Sequence, residues 1–228
     1  MNNVRVKICG LTNLADAQVA VEAGADLLGF IFYPKSPRYV VPEVVAGIIQ
    51  GINDQRPTTN DQRPATTLPR FVGVFVNETV ERIAQILALT WLDYAQLHGN
   101  ESAEMVAHFQ GRAFKALRPT SADEAFTGAA HFAPYGPSAG PSLMVDAYDP
   151  SLYGGTGKTA DWRMAAELAK QYPGLLLAGS LIPENVAEAI RVARPWGVDV
   201  SSGVEAAPGR KDHGKVRDFI QNAKQGSL

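Results

Sequence analysis

Eight short runs rich in Val, Ile, Leu and Phe recur along the chain, separated by segments of helical period. The runs cover residues 4–10, 26–33, 71–77, 93–99, 113–119, 142–149, 174–180 and 197–202. Helical segments cover 14–23, 42–50, 80–89, 102–109, 161–171, 183–192 and 215–223, and a short one over 122–130 completes the alternation before the Pro- and Gly-rich stretch 131–141. Apolar runs alternating with helices imply parallel strands joined by helical crossovers. Eight such units in 228 residues favour a closed (β/α)8 barrel of the TIM type over an open doubly wound sheet, because these barrels typically need about 250 residues. The whole chain, 1–228, reads as one domain, and its 46% apolar composition suffices to fill one large core.

Several helices carry start signals. Thr12 precedes the first, Asn77 precedes the third with Glu78 and Glu81 in its opening turn, and Pro183 followed by Glu184 opens the seventh. Residues 51–70 break the rhythm. This stretch is polar, lacks a hydrophobic period, and repeats Asn53-Asp54-Gln55-Arg56-Pro57 as Asn60-Asp61-Gln62-Arg63-Pro64. It reads as a flexible insertion between a helix and the next strand, on the face of a barrel opposite the usual active site.

The formal net charge is −2, and no basic run exceeds pairs such as Arg210-Lys211. Nothing here matches nucleic acid or an acidic membrane surface. Cys9 is the only cysteine, which excludes an internal disulfide and a cysteine-based zinc cluster and fits a reducing compartment. The first residues form no apolar stretch of signal-peptide length, and no segment approaches the roughly 20 apolar residues of a membrane span. The expectation is a soluble, cytoplasmic protein. The four histidines show no metal-ligand spacing, so no metal site is expected, and His108, His131 and His213 receive no role.

In a (β/α)8 barrel reactive groups gather at the carboxyl ends of the strands. The first strand ends Lys7-Ile8-Cys9-Gly10. A lone buried cysteine is more often a small apolar filler than a catalyst, but this one stands at a strand end and is followed by Gly10. Alternation puts Lys7 on its face, where an ammonium favours the thiolate. Strands one and eight adjoin in a closed barrel, so Asp199 comes within reach of Lys7, either to tune this cluster or to bind substrate. The sixth strand ends at Asp146, which local sequence alone leaves open between a loop or helix-capping residue and a functional carboxylate. The Gly-rich segment Gly154-Gly155-Thr156-Gly157-Lys158 follows it and suits close approach of backbone N–H groups to an anion, without being a Walker A motif. Strand seven closes with Gly179 and Ser180, and strand eight runs into Ser202 and Gly203. Small residues at these two ends form the common phosphate site of such barrels, so the constellation predicts a phosphorylated small-molecule substrate. Arg38 lies in a loop stiffened by Pro34 and Pro37 and is suited to a bidentate grip on a carboxylate. His98, ending strand four, reads as a structural hydrogen-bonding group before an acid or base.

These pieces together resemble the phosphoribosylanthranilate isomerase family, nearly end to end. The likeness is carried by Val6-Lys7-Ile8-Cys9-Gly10-Leu11-Thr12, Gly29-Phe30-Ile31-Phe32, Lys35-Ser36-Pro37-Arg38-Tyr39, Val72-Gly73-Val74-Phe75-Val76-Asn77 and Gln96-Leu97-His98-Gly99. It continues through Gly154-Gly155-Thr156-Gly157-Lys158-Thr159-Ala160-Asp161-Trp162, Leu177-Ala178-Gly179, Pro183-Glu184-Asn185-Val186 and Val198-Asp199-Val200-Ser201-Ser202-Gly203-Val204-Glu205. The family commonly has a second glycine where this chain has Ser180, and the insertion is atypical. The resemblance implies a cofactor-free Amadori rearrangement in tryptophan biosynthesis by a monomer or homodimer. By position Cys9 matches the general base, Asp146 the general acid and Arg38 the group that binds the anthranilate carboxylate. Gly155, Thr156, Gly157, Gly179, Ser180, Ser202 and Gly203 match the phosphate clamp, and Asp199 an active-site carboxylate. Three other readings stay open on sequence: a phosphosugar epimerase, the histidine-pathway isomerase, where Asp is expected in place of Cys9, and a non-catalytic barrel that binds phosphorylated ligands.

Overall fold

The computed structural model describes residues 4–54, 68–146 and 162–226. Its framework is eight strands: β1 (Arg5–Ile8), β2 (Leu27–Ile31), β3 (Arg70–Phe75), β4 (Tyr94–Leu97), β5 (Ala113–Leu117), β6 (Leu143–Asp146), β7 (Leu175–Ala178) and β8 (Gly197–Val200). They pair in sequence order, all parallel, and β8 returns to β1 to close the barrel with Lys7 opposite Asp199. The helices are α1 (Leu14–Glu22), α2 (Pro42–Asp54), α3 (Val80–Thr90), α4 (Ala103–His108), α5 (Ala122–Phe132), α6 (Trp162–Gln171), α7 (Val186–Ala193) and α8 (His213–Gln225). Between β8 and α8 sits a small hairpin, β9 (Glu205–Ala207) and β10 (Arg210–Lys211). The expected (β/α)8 barrel is the observed one.

Period-2 alternation sorts the strand side chains into two cores. Outward residues such as Val6, Ile8, Leu28 and Phe30 pack against the helices. Inward residues fill the barrel: Leu27, Val72, Phe114, Ala116, Met144, Leu176 and Ala178 form a separate apolar cluster, with Tyr94 and Trp196 against it. Above that plug, toward the carboxyl ends, the inward positions become polar: Lys7, Gln96 and Asp199 are all buried there.

Boundaries moved where local signals competed. α2 runs to Asp54 because Val45, Ile48, Ile49 and Ile52 continue one buried stripe, and β3 starts at Arg70. The expected insertion over 51–70 is therefore corrected at both ends, and residues 55–67 lie outside the described residues. The cap of α1 is Asn13, whose side chain accepts from the Asp16 amide. Thr12 instead donates to the Gly209 carbonyl at 2.6 Å. Thr79, not Asn77, caps α3 by accepting from Arg82. Asn77 adopts a left-handed conformation (φ 53°) and accepts from the Asn100 amide. α7 begins at Val186, after a turn containing Pro183 and Glu184.

The amino-terminal face carries a repeated lock. Asp26, just before β2, accepts from the Val6 amide at 2.9 Å and from Arg5 at 2.8 Å, and pairs with Lys224 of α8. Asp93, just before β4, does the same for the Phe71 amide and Arg70, at 2.8 and 2.7 Å. A carboxylate thus satisfies a strand amide at the barrel end and sets the register. Asp26→Ala is expected to cost about 1–3 kcal/mol of unfolding free energy, because the partly buried amide loses its acceptor. Arg5→Ala, which deletes only an exposed ion-pair partner, should cost at most about 1 kcal/mol. Urea midpoints at unchanged m-value test this, and equal losses for the two variants would refute the amide-locking role.

Candidate active site

At the carboxyl ends of the strands lies a cavity of about 470 Å³. Its wall contains Cys9, Arg38, His98, Asp146, Asp199, Gly179, Ser180, Ser202 and Gly203. A larger opening, about 680 Å³, lies at the opposite face, where the lock residues Asp26 and Asp93 line it.

The polar centre is the β1–β8 seam. Lys7 Nζ donates to Asp199 Oδ1 at 2.9 Å and to Gln96 Oε1 of β4 at 2.9 Å. The side chains are 0% and 7% exposed for Lys7 and Asp199, so the pair is screened very little by water. Burial disfavours the ammonium and is the largest single influence, but Asp199 and Cys9 together outweigh it and raise the Lys7 pKa. Cys9 follows β1 on the same inward face. Glycine at position 29 of β2 makes room for it, since a Cβ there would stand 2.8 Å from the sulfur and 3.1 Å from Lys7 Cε. Burial pushes the Cys9 thiol above its ordinary value; Lys7 pulls it down, and the Asp199 charge pushes it up again. The expectation that Lys7 would favour the thiolate holds for the sign of its own effect but not for the net outcome, because desolvation dominates. Asp146, ending β6, is also held above the usual carboxylate range, by burial and then by Asp199, with Arg118 opposing. One carboxylate, Asp199, therefore acts electrostatically on both groups.

Arg38 folds back over the first loop. Gly10, at φ 74°, accepts this, since a Cβ there would lie 2.7 Å from Arg38 Cδ. Arg38 Nε and Nη2 both donate to Glu205 at 2.7 Å. Glu205 also accepts from Lys211 Nζ at 3.1 Å, and the Lys211 amide donates to Asp16 of α1. His213, given no role on sequence, pairs with the same Asp16 at 2.9 Å. The contacts from Glu205 and Lys211 tie Arg38 to the final hairpin and to α1. Sequence inspection missed Gln96, Glu205 and Lys211. Gln96 left one signal, an amide at an inward position of an apolar strand. Glu205 and Lys211 left none, since charges in a loop and hairpin look solvated.

At the ends of β7 and β8, Gly179 (φ 103°) and Ser180 (φ 50°) both hold left-handed conformations. Asn185 clamps this turn, donating to the Ser180 carbonyl and accepting from the Ile182 amide. Ser202–Val204 form a single 3₁₀ turn opposite, where Gly203 approaches the Leu181 carbonyl too closely to admit a side chain. The expected loop residues Gly155, Thr156 and Gly157 lie outside the described residues. Among the described residues no group of three or more His, Cys, Asp or Glu side chains is arranged to hold a metal ion, and no helix is long and apolar enough to cross a membrane.

A thiol and a carboxyl, both shifted upward and both facing one cavity of a (β/α)8 barrel beside a cradle of small residues, belong with enzymes that move protons on small anionic substrates. The comparisons narrow this class. Residues 6–222 match the family described as N-(5'phosphoribosyl)anthranilate (PRA) isomerase. The isomerase of Trichlorobacter lovleyi is 46% identical over 225 residues, 97% of this chain and 98% of that protein. The crystal structure of phosphoribosyl anthranilate isomerase from Thermotoga maritima superposes with a TM-score of 0.81 at 41% identity, covering 97% of this chain and 99% of that one. A structure of the isomerase in complex with reduced 1-(o-carboxyphenylamino)-1-deoxyribulose 5-phosphate gives 0.78 at 38% identity, with 97% and 99% covered. The chain belongs to the N-(5'-phosphoribosyl)anthranilate isomerase family.

Ser180 stands in a backbone region that costs a non-glycine residue about 1–2 kcal/mol. Part of that is offset because glycine makes the unfolded chain more flexible, by about 0.4–1 kcal/mol. Ser180→Gly should therefore stabilise the protein by a few tenths to about 1 kcal/mol. Thermal or urea unfolding checks this, and a destabilised variant would show that the serine side chain makes a favourable contact.

Proposed function

We propose that the chain catalyses the Amadori rearrangement of N-(5'-phosphoribosyl)anthranilate to 1-(o-carboxyphenylamino)-1-deoxyribulose 5-phosphate in tryptophan biosynthesis, with Cys9 as general base and Asp146 as general acid. The observation that carries the reading is that both side chains line one cavity, and that the Asp199 charge acts on both. Asp146, held above the normal carboxylate range, gives its proton to the furanose oxygen. The C1'–O bond breaks while the nitrogen lone pair forms an iminium. The Cys9 thiolate then takes the C2' proton, and the C–H electron pair moves to form the enolamine and neutralise nitrogen. Proton gain at C1' and loss from the 2'-hydroxyl yield the ketone. Gly179, Ser180, Ser202 and Gly203 hold the phosphate. Arg38, oriented by Glu205, meets the anthranilate carboxylate. The phosphoanchor and the carboxylate contact fix the pentose between acid and base, converting binding energy into alignment.

Disappearance of phosphoribosylanthranilate fluorescence tests the assignment. Cys9→Ser and Asp146→Asn should each lower kcat by about 10²–10⁴-fold, the usual worth of a positioned acid or base. Both should still bind the reduced product analogue. Near-wild-type turnover in either variant removes that residue from the role.

The productive state needs Asp146 protonated and Cys9 ionised. With both pKa values raised, the product of these two fractions falls below the lower pKa, as thiolate vanishes, and above the higher one, as the acid form vanishes. The kcat/KM profile should be a bell whose acid limb lies above the ordinary carboxylate range. Asp199→Asn removes a negative charge that raises both groups, so both limbs should move to lower pH. Limbs that stay in place in this variant contradict the electrostatic coupling.

A further inference from the structure

His98 at the end of β4 lines the cavity, yet the rearrangement above gives it no part. Its protonation pattern follows from a chain of contacts that begins at Lys7. An ammonium has donors and no acceptor, so the Gln96 atom 2.9 Å from Lys7 Nζ must be the amide oxygen. The other end of that amide is then the NH₂ group, and it lies 3.0 Å from His98 Nδ1. An NH₂ facing a ring nitrogen requires a lone pair there. Burial, with Arg118, Lys7 and Lys115 nearby, pushes the imidazolium pKa down to about 4, so the ring is neutral at physiological pH. Its single proton must sit on Nε2. Among the described residues none accepts from that nitrogen.

The position of this donor is specific. In a closed ring of eight strands β4 stands across from β8, and β3 across from β7. A ligand whose phosphate rests at the ends of β7 and β8 extends its other end toward β3 and β4. There Ile31 and Val74 offer an apolar wall and His98 supplies an N–H. Arg38 gives two of its five N–H donors to Glu205, so a further donor at this end adds to its contact with the carboxylate.

We propose that His98 is a substrate-binding residue whose Nε2–H donates a hydrogen bond to the carboxylate on the arylamine half of the substrate, and that Lys7 and Gln96 are positioning residues that hold His98 in this one tautomer. This rests on the isomerase reading above, because that reading places an aryl carboxylate at the end distal to the phosphate.

The test uses the intact protein and two ligands: the reduced product analogue, and the same compound with phenyl in place of o-carboxyphenyl. Titration calorimetry is done on wild type, His98→Asn and His98→Gln. Gln can place an amide N–H near the position of Nε2, whereas Asn cannot reach it. A hydrogen bond to a charged acceptor predicts that His98→Asn weakens the carboxylated analogue by about tenfold or more. The phenyl analogue should bind all three proteins alike, and His98→Gln should recover most of the loss. Nitrogen-15 NMR of the wild type should show a protonated Nε2 and a bare Nδ1, and Gln96→Leu should release this preference. Equal weakening of both ligands, no weakening of either, or an Nδ1-protonated wild type overturns the proposal while leaving the isomerase reading intact. A wild type that neither turns over phosphoribosylanthranilate nor binds the carboxylated analogue overturns the isomerase reading and this proposal together.

Discussion

A barrel closes only where its first and last strands meet, and here that seam contains a desolvated ammonium and carboxylate 192 positions apart in the chain. Removing either partner of such a pair leaves an uncompensated buried charge, at a cost of about 3–5 kcal/mol. The Lys7–Asp199 contact therefore couples closure of the fold to the chemistry above it. Lys7 also orients Gln96 from across the barrel. Asp199 extends its influence sideways, raising both the thiol at the end of β1 and the carboxyl at the end of β6. The apolar plug beneath, from Leu27 to Ala178, keeps water from reaching the pair from the opposite face.

The rim is organised by a second set of charges that also joins remote segments. Glu205 lies between Arg38 and Lys211, and Asp16 receives both the Lys211 amide and the His213 ring. A bidentate guanidinium–carboxylate contact sets orientation as well as distance, so Arg38 is held in place before any ligand arrives. On the other side, Lys115 of β5 donates to Glu101 at 2.7 Å, and Glu101 accepts from the amides of Asn77 and Gly99. This buried pair holds the loops after β3 and β4, one of which carries His98. The cavity is thus bounded on both flanks by charged clusters whose members satisfy one another.

Much of this was legible in the residues alone. Eight apolar runs with helical spacers specify parallel strands, because only crossover helices can bury both faces of such strands. Cys9, Asp146, Gly179, Ser180, Ser202 and Gly203 could be selected because strand ends in a barrel converge on one mouth, and all six line the observed cavity. The pairing of Lys7 with Asp199 followed from ring closure plus alternation. Harder to read were features in which several local signals competed. Thr12 and Asn13 are both competent caps, and only the chain path toward Gly209 decides between them. The extension of α2 past residue 50, through Gly51, needed the buried stripe to outweigh glycine's poor helix propensity.

The amino-acid sequence by itself determined the period, and with it the strand faces, the barrel and the identity of the groups at its mouth, since alternation and helical spacing are local properties of the backbone. Only the tertiary structure decided how those groups are charged and oriented. Burial outweighed Lys7 at the Cys9 thiol, Glu205 took one edge of Arg38, and Gln96 bridged Lys7 to His98. Desolvation and hydrogen-bond partners depend on neighbours brought from distant positions in the chain, and one-dimensional spacing carries no record of them.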